Sequence, residues 1–226
     1  MKALVIDCAC SRMTVAAKNE DKTFTAIYDI GMRQSETLVP AMDYVLERCS
    51  LAKNELDYTA LTIGPGSFTG LRLGISALKA IECAFGKPVY GISSLETYAF
   101  PFLESEFPTL SCIDANKDRF FAGIYKAGIA VLEDGDYDIP FIIEQLKTIE
   151  KINVSGMKAD VDKLINLLQK NGCNTVFNKL AVSAVTTDSL FALAEKKLTA
   201  GFQPLQEYDG PIYLRASEAE IKLATS

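Results

Sequence analysis

The stretch from Ile63 to Gly74, IGPGSFTGLRLG, constrains the fold more than any other part of this chain. It places four glycines, a proline and two hydroxyl residues between two apolar patterns of different period. Upstream, Leu61, Thr62 and Ile63 read as the end of a buried strand; downstream, Leu71, Ile75, Leu78, Ile81 and Phe85 recur at helical spacing. The glycines therefore sit in a strand-to-helix loop, where positive φ or close backbone approach is needed and Pro65 stiffens the turn. Ser67 or Thr69 can cap the helix that follows. A loop of this kind can also hold an anion at the helix N-terminus. It lacks the Gly-Lys-Ser/Thr ending of a Walker loop and the G-x-G-x-x-G spacing of a dinucleotide loop. A phosphate loop and a tight structural turn both remain open at this point.

The helix over 69–85 carries a second pattern. Gly70, Gly74, Ala77 and Ala84 share a face distinct from the Leu and Ile stripe. Glycine inside a helix is unfavourable by up to about 1 kcal/mol relative to alanine, so Gly74 calls for a packing reason. Close approach of another helix supplies one, either within the domain or from a partner.

Composition narrows the chemistry. With 226 residues, 49% hydrophobic and 23% charged, the chain can bury a sizeable core as one large or two small domains. No apolar run approaches a membrane span, and Asp7 interrupts the amino-terminal apolar run too early for a secretory signal, so a cytoplasmic protein is expected. A net charge of −6 with no Lys/Arg block lacks the footprint of a protein that grips nucleic acid unaided; if RNA is involved, a partner must hold most of it. Six scattered cysteines without C-x-x-C pairing read as reduced thiols, not as a metal cluster or disulfides. There is no histidine at all, which removes Ser-His-Asp, Cys-His and H-E-x-x-H sites and any imidazole base. Carboxylate, lysine and cysteine chemistry survive.

Strands are expected over 3–7, 13–18 and 23–30, a helix over 36–49, a strand over 56–63, the glycine loop with its helix, and a strand over 87–92. Phe100 to Pro108 interrupts the pattern and suggests a crossing between halves. The order then restarts: strands over 109–113, 120–126 and 128–132, a helix over 141–149, a strand over 152–155 and a helix over 161–170. An Asp closes the first strand of each half, Asp7 and Asp114, which hints at an internal structural repeat. A helix over 189–198, an extended stretch over 210–215 and a charged tail complete the chain. The two α/β domains are expected over 1–104 and 105–226, the final segment packing back on the first.

These anchors, namely the Asp-ended first strand, Gly-Pro-Gly-Ser-Phe-Thr-Gly-Leu-Arg, Ile113-Asp114-Ala115 and Pro211-Ile212-Tyr213-Leu214-Arg215, resemble the bacterial TsaB (YeaZ) family. The resemblance implies an α/β protein of the actin-like ATPase superfamily (ASKHA, ribonuclease H-like), with two tandem domains. It implies a role in forming N6-threonylcarbamoyladenosine beside the anticodon of tRNAs reading ANN codons. In that role the chain is a non-catalytic subunit that dimerises with a catalytic, TsaD-like paralogue and works with a small TsaE-like P-loop ATPase. No metal and no cofactor is then required by the chain alone, ATP and Mg²⁺ belonging to the assembled complex.

By resemblance the helices over 36–49 and 69–85 form the partner contact, with Leu38, Met42, Gly70, Leu73, Gly74, Ala77 and Leu78 as its residues. The same surface suits a homodimer when the partner is absent. Asp7, Ser11 and Asp114 mark a vestigial Mg-nucleotide site, the alternative for both aspartates being a turn-capping carboxylate. Relatives often carry a histidine near Gln34-Ser35 and an arginine after the alanine of the second turn, where this chain has Asn116 and then Arg119. An active kinase-like enzyme of the same superfamily is the competing reading. A peptidase, an older label for relatives, loses its metal ligands with the missing histidines.

Overall fold

The computed structural model describes residues 1–181 and 186–215, apart from the side chains of Met32 and Ala181; the expected charged tail lies outside them. The described residues fall into two units, Met1–Pro101 with 186–211 and Phe102–Ala181 with 212–215.

Unit 1 opens with three antiparallel strands, β1 (Lys2–Asp7), β2 (Arg12–Asn19) and β3 (Lys22–Asp29). Helix α1 (Gln34–Arg48) leads to β4 (Tyr58–Gly64), α2 (Phe68–Phe85), β5 (Val89–Ser93) and the short α3 (Ser94–Ala99). β1, β4 and β5 run parallel, giving the order β3-β2-β1-β4-β5. β1 is apolar from Ala3 to Ile6, and both sheet faces are covered there. Leu4 and Ile6 point to a core with Leu38, Met42 and Val45 of α1 and Ile75 and Leu78 of α2. Ala3 and Val5 point to a second core, closed by Leu190, Leu193 and Ala194 of the last helix, α6 (Thr186–Thr199). α6 is further tied down by Glu195, whose carboxylate accepts from Lys18 Nζ at 2.8 Å and Tyr58 Oη at 3.1 Å. The edge of β5 is not left open: Leu205 N donates to Val89 O at 2.7 Å and Lys197 Nζ to Gly91 O at 2.8 Å.

Unit 2 repeats the plan. β6 (Thr109–Asp114), β7 (Arg119–Lys126) and β8 (Ile129–Asp138) form an antiparallel meander. They are followed by α4 (Ile139–Leu146), β9 (Lys151–Gly156), α5 (Lys158–Lys170) and β10 (Val176–Ala181). The order β10-β9-β6-β7-β8 makes β6 the counterpart of β1 and Asp114 that of Asp7. Its core joins Leu110, Cys112, Ile152 and Val154 to Ile142 and Leu146 of α4 and Val161 and Leu164 of α5. Ala127 and Gly128 both hold positive φ, as a tight two-residue hairpin demands.

Several expectations shift. β8 runs to Asp138 instead of stopping at 132, because its acidic second half is held by arginines described below. α4 begins at Ile139, capped by Asp138 with Pro140 in its first turn, so it lies earlier than the expected 141–149. α3 and β10 were not anticipated, both being short. Residues 210–215 form no strand.

Candidate functional site

The glycine loop is built by backbone contacts. Gly64 holds φ of 122° and precedes a cis bond to Pro65; Ser67 N donates to Ala9 O at 2.6 Å, pinning the loop to the turn after β1. Ser67 caps α2 through its Oγ, which accepts from Gly70 N at 3.2 Å. Of the two hydroxyl residues offered as a cap, it is Ser67 that serves.

The two glycines of α2 face inward. A β carbon on Gly70 would stand 2.1 Å from Cys8 O, and one on Gly74 would stand 3.3 Å from a Leu61 methyl. The helix thus comes against the β1 turn of its own unit, and that contact accounts for Gly70. Leu38, Met42 and Leu78 are likewise buried in the unit's core. Five of the seven residues expected at a partner contact are therefore interior, and only Leu73 and Ala77 reach the surface in part. The outward faces carry other residues: Val39 and Tyr44 on α1, and Ser76, Ala80 and Ala84 on α2 in line with Leu73 and Ala77. Phe68 lies at one end of α2 and Phe85 at the other, both exposed, and the Arg72 guanidinium sits 3.8 Å from the Phe68 ring centroid.

At the end of β1, Asp7 is buried and its Oδ1 accepts from Ala9 N at 3.0 Å and Thr62 Oγ1 at 2.8 Å. These are the bonds of a turn-capping carboxylate that also joins β1 to β4. Burial, with Asp7 beside it, raises the Cys8 thiol far above its ordinary range, so Cys8 stays a neutral core residue. Ser11 lies on the surface and lines a cavity with Gln34, Ser67 and Thr69. Gln34 is buried and donates from Nε2 to Cys10 O at 2.6 Å.

Asp114 has a different setting. Its Oδ1 accepts from Asn116 N at 2.9 Å, while Lys163 Nζ lies 2.9 Å from Oδ1 and 2.8 Å from Oδ2. Burial, and then the charge of Asp114, raises Asp160, a turn earlier in α5, although a backbone hydrogen bond from Asp114 opposes the shift. The turn itself places Asn116, Lys117 and Asp118 at positive φ. Arg119 does not face Asp114: Nε donates to Asp136 Oδ1 at 2.9 Å. Arg215 grips the same carboxylate, from Nε at 2.6 Å and Nη2 at 2.9 Å, and donates from Nη1 to Ala115 O at 2.8 Å. Burial pushes Asp136 upward, but the hydrogen bonds from Arg215 and Arg119 outweigh it and hold the carboxyl below its ordinary value. The sequence pointed to Arg215 by its motif but gave no sign of Asp136 or Lys163, which lie 79 and 49 positions from their partners.

Among the described residues no three His, Cys, Asp or Glu side chains gather as a metal-binding group, and no helix is long and apolar enough to cross a membrane.

Two units, each a five-stranded sheet whose first three strands are antiparallel and whose remaining pairs are parallel, define the actin-like ATPase fold. A family model described as TsaD: tRNA N6-adenosine threonylcarbamoyltransferase matches residues 31–223. Two relatives match along their whole length, both named tRNA threonylcarbamoyladenosine biosynthesis protein TsaB. The one from Bacillus subtilis (strain 168) is 28% identical over 98% of this chain and 97% of its own. The one from Escherichia coli (strain K12) is 31% identical over 99% of this chain and 98% of its own. The solved structure of YeaZ from Pseudomonas aeruginosa shares the fold at a TM-score of 0.74 and 20% identity, covering 94% of this chain and 99% of that one. The chain belongs to the TsaB (YeaZ) family.

Proposed function

We propose that this chain is an accessory subunit in the formation of N6-threonylcarbamoyladenosine on tRNAs reading ANN codons, and that it acts by docking to a catalytic, TsaD-like paralogue. The observation that carries this reading is the end-to-end likeness to proteins named for threonylcarbamoyladenosine biosynthesis, in a chain with no histidine to offer a catalytic metal. The docking surface is the outward side of α1 and α2. Its row of Leu73, Ser76, Ala77, Ala80 and Ala84 lets a partner backbone approach closely, increasing dispersion contacts along the seam. Val39, Tyr44, Phe68 and Phe85 supply larger apolar contacts around it, and Arg72 a planar cation. The TsaE-like ATPase and the tRNA join through the assembled complex, and a homodimer through the same face is the state expected when the paralogue is absent.

A kinase-like enzyme is the competing reading, resting on the two strand-end aspartates. The environments of both weigh against it: Asp7 is engaged in its own turn, and both oxygens of Asp114 lie against Lys163. Calorimetry of the isolated chain with Mg-ATP separates the readings. The accessory role expects no turnover, whereas robust binding with turnover establishes the enzyme. Co-purification with the TsaD-like paralogue tests the docking directly.

A further inference from the structure

Asn171-Gly172 is the chain's one Asn-Gly pair. Such a pair is chemically labile, because glycine has no β carbon to hinder attack of its backbone nitrogen on the asparagine side chain. Both residues are exposed, in the turn that joins α5 to β10, so water and hydroxide reach them.

The turn nevertheless holds the reacting groups apart. Asn171 caps α5 with φ of −95° and ψ of 17°, and Gly172 follows in the left-handed region at φ of 83°. Gly172 N donates to Gln169 O at 3.0 Å and Cys173 N to Leu168 O at 3.0 Å, the two bonds that close a helix through a left-handed glycine. The leaving group is held as well: Asn171 Nδ2 donates to Leu167 O at 2.8 Å, an oxygen that also accepts from Asn171 N at 3.1 Å. Ring closure needs the Gly172 nitrogen to eclipse the Asn171 β carbon, and at ψ of 17° it is turned away. Nucleophile and leaving group are thus both engaged until the last turn of α5 opens. Helix ends open more readily than a fold as a whole. Leu168 is buried in the core of unit 2, so the turn beyond it can open without disturbing that core.

We propose that Asn171 is a site of spontaneous deamidation gated by the last turn of α5. When the turn opens, Gly172 N gives its proton to hydroxide and bonds to Asn171 Cγ; the Cγ–Nδ2 bond breaks, and ammonia leaves with a proton from water. Water then opens the succinimide at either carbonyl, giving aspartate or isoaspartate. The net change is asparagine plus water to aspartate or isoaspartate plus ammonia, with nothing oxidised or reduced. Either product places a negative charge at the negative end of the α5 dipole and removes the Nδ2 bond to Leu167 O. Isoaspartate also adds a methylene to the main chain where α5 turns toward β10, the edge strand of its sheet. The modification loosens this edge of unit 2 irreversibly and records how often the end of α5 has opened.

The test is to age the full chain at about pH 8.5, folded and in urea, following the gain of about one mass unit at Asn171 by peptide mass mapping with separation of isoaspartate. The folded chain is expected to modify Asn171 at least about tenfold more slowly than the unfolded chain, and faster as pH rises, because the attacking nitrogen is deprotonated. Gln169→Gly, at an exposed position, lowers helix propensity in the last turn and should speed the reaction of the folded chain by about fivefold. Val45→Ala, in the core of unit 1, weakens the fold away from α5 and should leave the rate unchanged. No modification of Asn171 in either state, equal rates folded and in urea, no acceleration by Gln169→Gly, or equal acceleration by both variants would overturn the proposal.

Discussion

Gly70 stands so close to Cys8 that a β carbon on it would lie 2.1 Å from the Cys8 carbonyl oxygen. The obstacle is backbone, which cannot swing aside as a side chain can. Gly70→Ala is therefore expected to destabilise the chain by about 3 kcal/mol, the upper range for overpacking. Gly74 differs, since its nearest neighbour is a Leu61 methyl at 3.3 Å. Gly74→Ala should change stability by less than about 1 kcal/mol, helix propensity offsetting the tight contact. Urea denaturation of the two variants checks the contrast.

Asp136 joins two guanidinium groups that come from distant parts of the sequence. Its side chain is 13% exposed, so removing it leaves Arg119 and Arg215 without their shared partner. Asp136→Ala should cost about 2 kcal/mol, in the range for charge-assisted hydrogen bonds in a partly buried setting. Arg215→Lys should lose much of the same energy, because lysine cannot reproduce the fork that meets both carboxylate oxygens. Denaturant midpoints measure both.

Acid dependence should separate two carboxylates of unit 2. Asp136 lies below its ordinary value of 3.8, so its contribution is fully present above that pH and is lost as pH falls through the lower folded value. Asp160 is raised above 3.8 by burial and by Asp114, with Lys163 and a backbone hydrogen bond opposing. The fold thus favours protonated Asp160, and that preference is lost as pH rises through the raised value. Asp160→Asn should gain stability relative to the unmodified chain on going from about pH 4 to pH 7, and Asp136→Asn should lose relative stability as pH rises toward about 4 and regain it on acidification. Stability curves at several pH values read both signs.

The outward row of α2 gives a test of docking that spares the fold. Ala80 is exposed on the helix, so Ala80→Arg should fold normally and weaken capture of the TsaD-like paralogue by at least about tenfold. Gly74→Leu is the poorer probe, because Gly74 faces the interior. Pull-down with circular dichroism on the same samples distinguishes lost contact from lost fold.

Much of the fold could be read in the sequence because its signals are local. The apolar first strand, the helical spacing after Gly70 and the restart after Pro108 each depend on neighbouring residues. What stayed hidden depends on partners far along the chain. The second half of β8 is rich in carboxylates and reads poorly as strand, yet Arg119 and Arg215 converge on Asp136 and hold it there. The glycine pattern of α2 revealed close approach but not its direction: Gly70 and Gly74 share a face that turns inward to Cys8 and Leu61, while the outward face belongs to Ser76 and Ala80. Lys163 beside Asp114 could be inferred only once α5 was placed over β6.

The most direct test is depletion of the protein in its host, followed by mass analysis of nucleosides from total tRNA, with complementation by the unmodified chain and by Ala80→Arg. An accessory role predicts that N6-threonylcarbamoyladenosine falls on depletion, returns with the unmodified chain and stays low with the variant. Unchanged levels of the modified nucleoside after depletion would contradict the proposal.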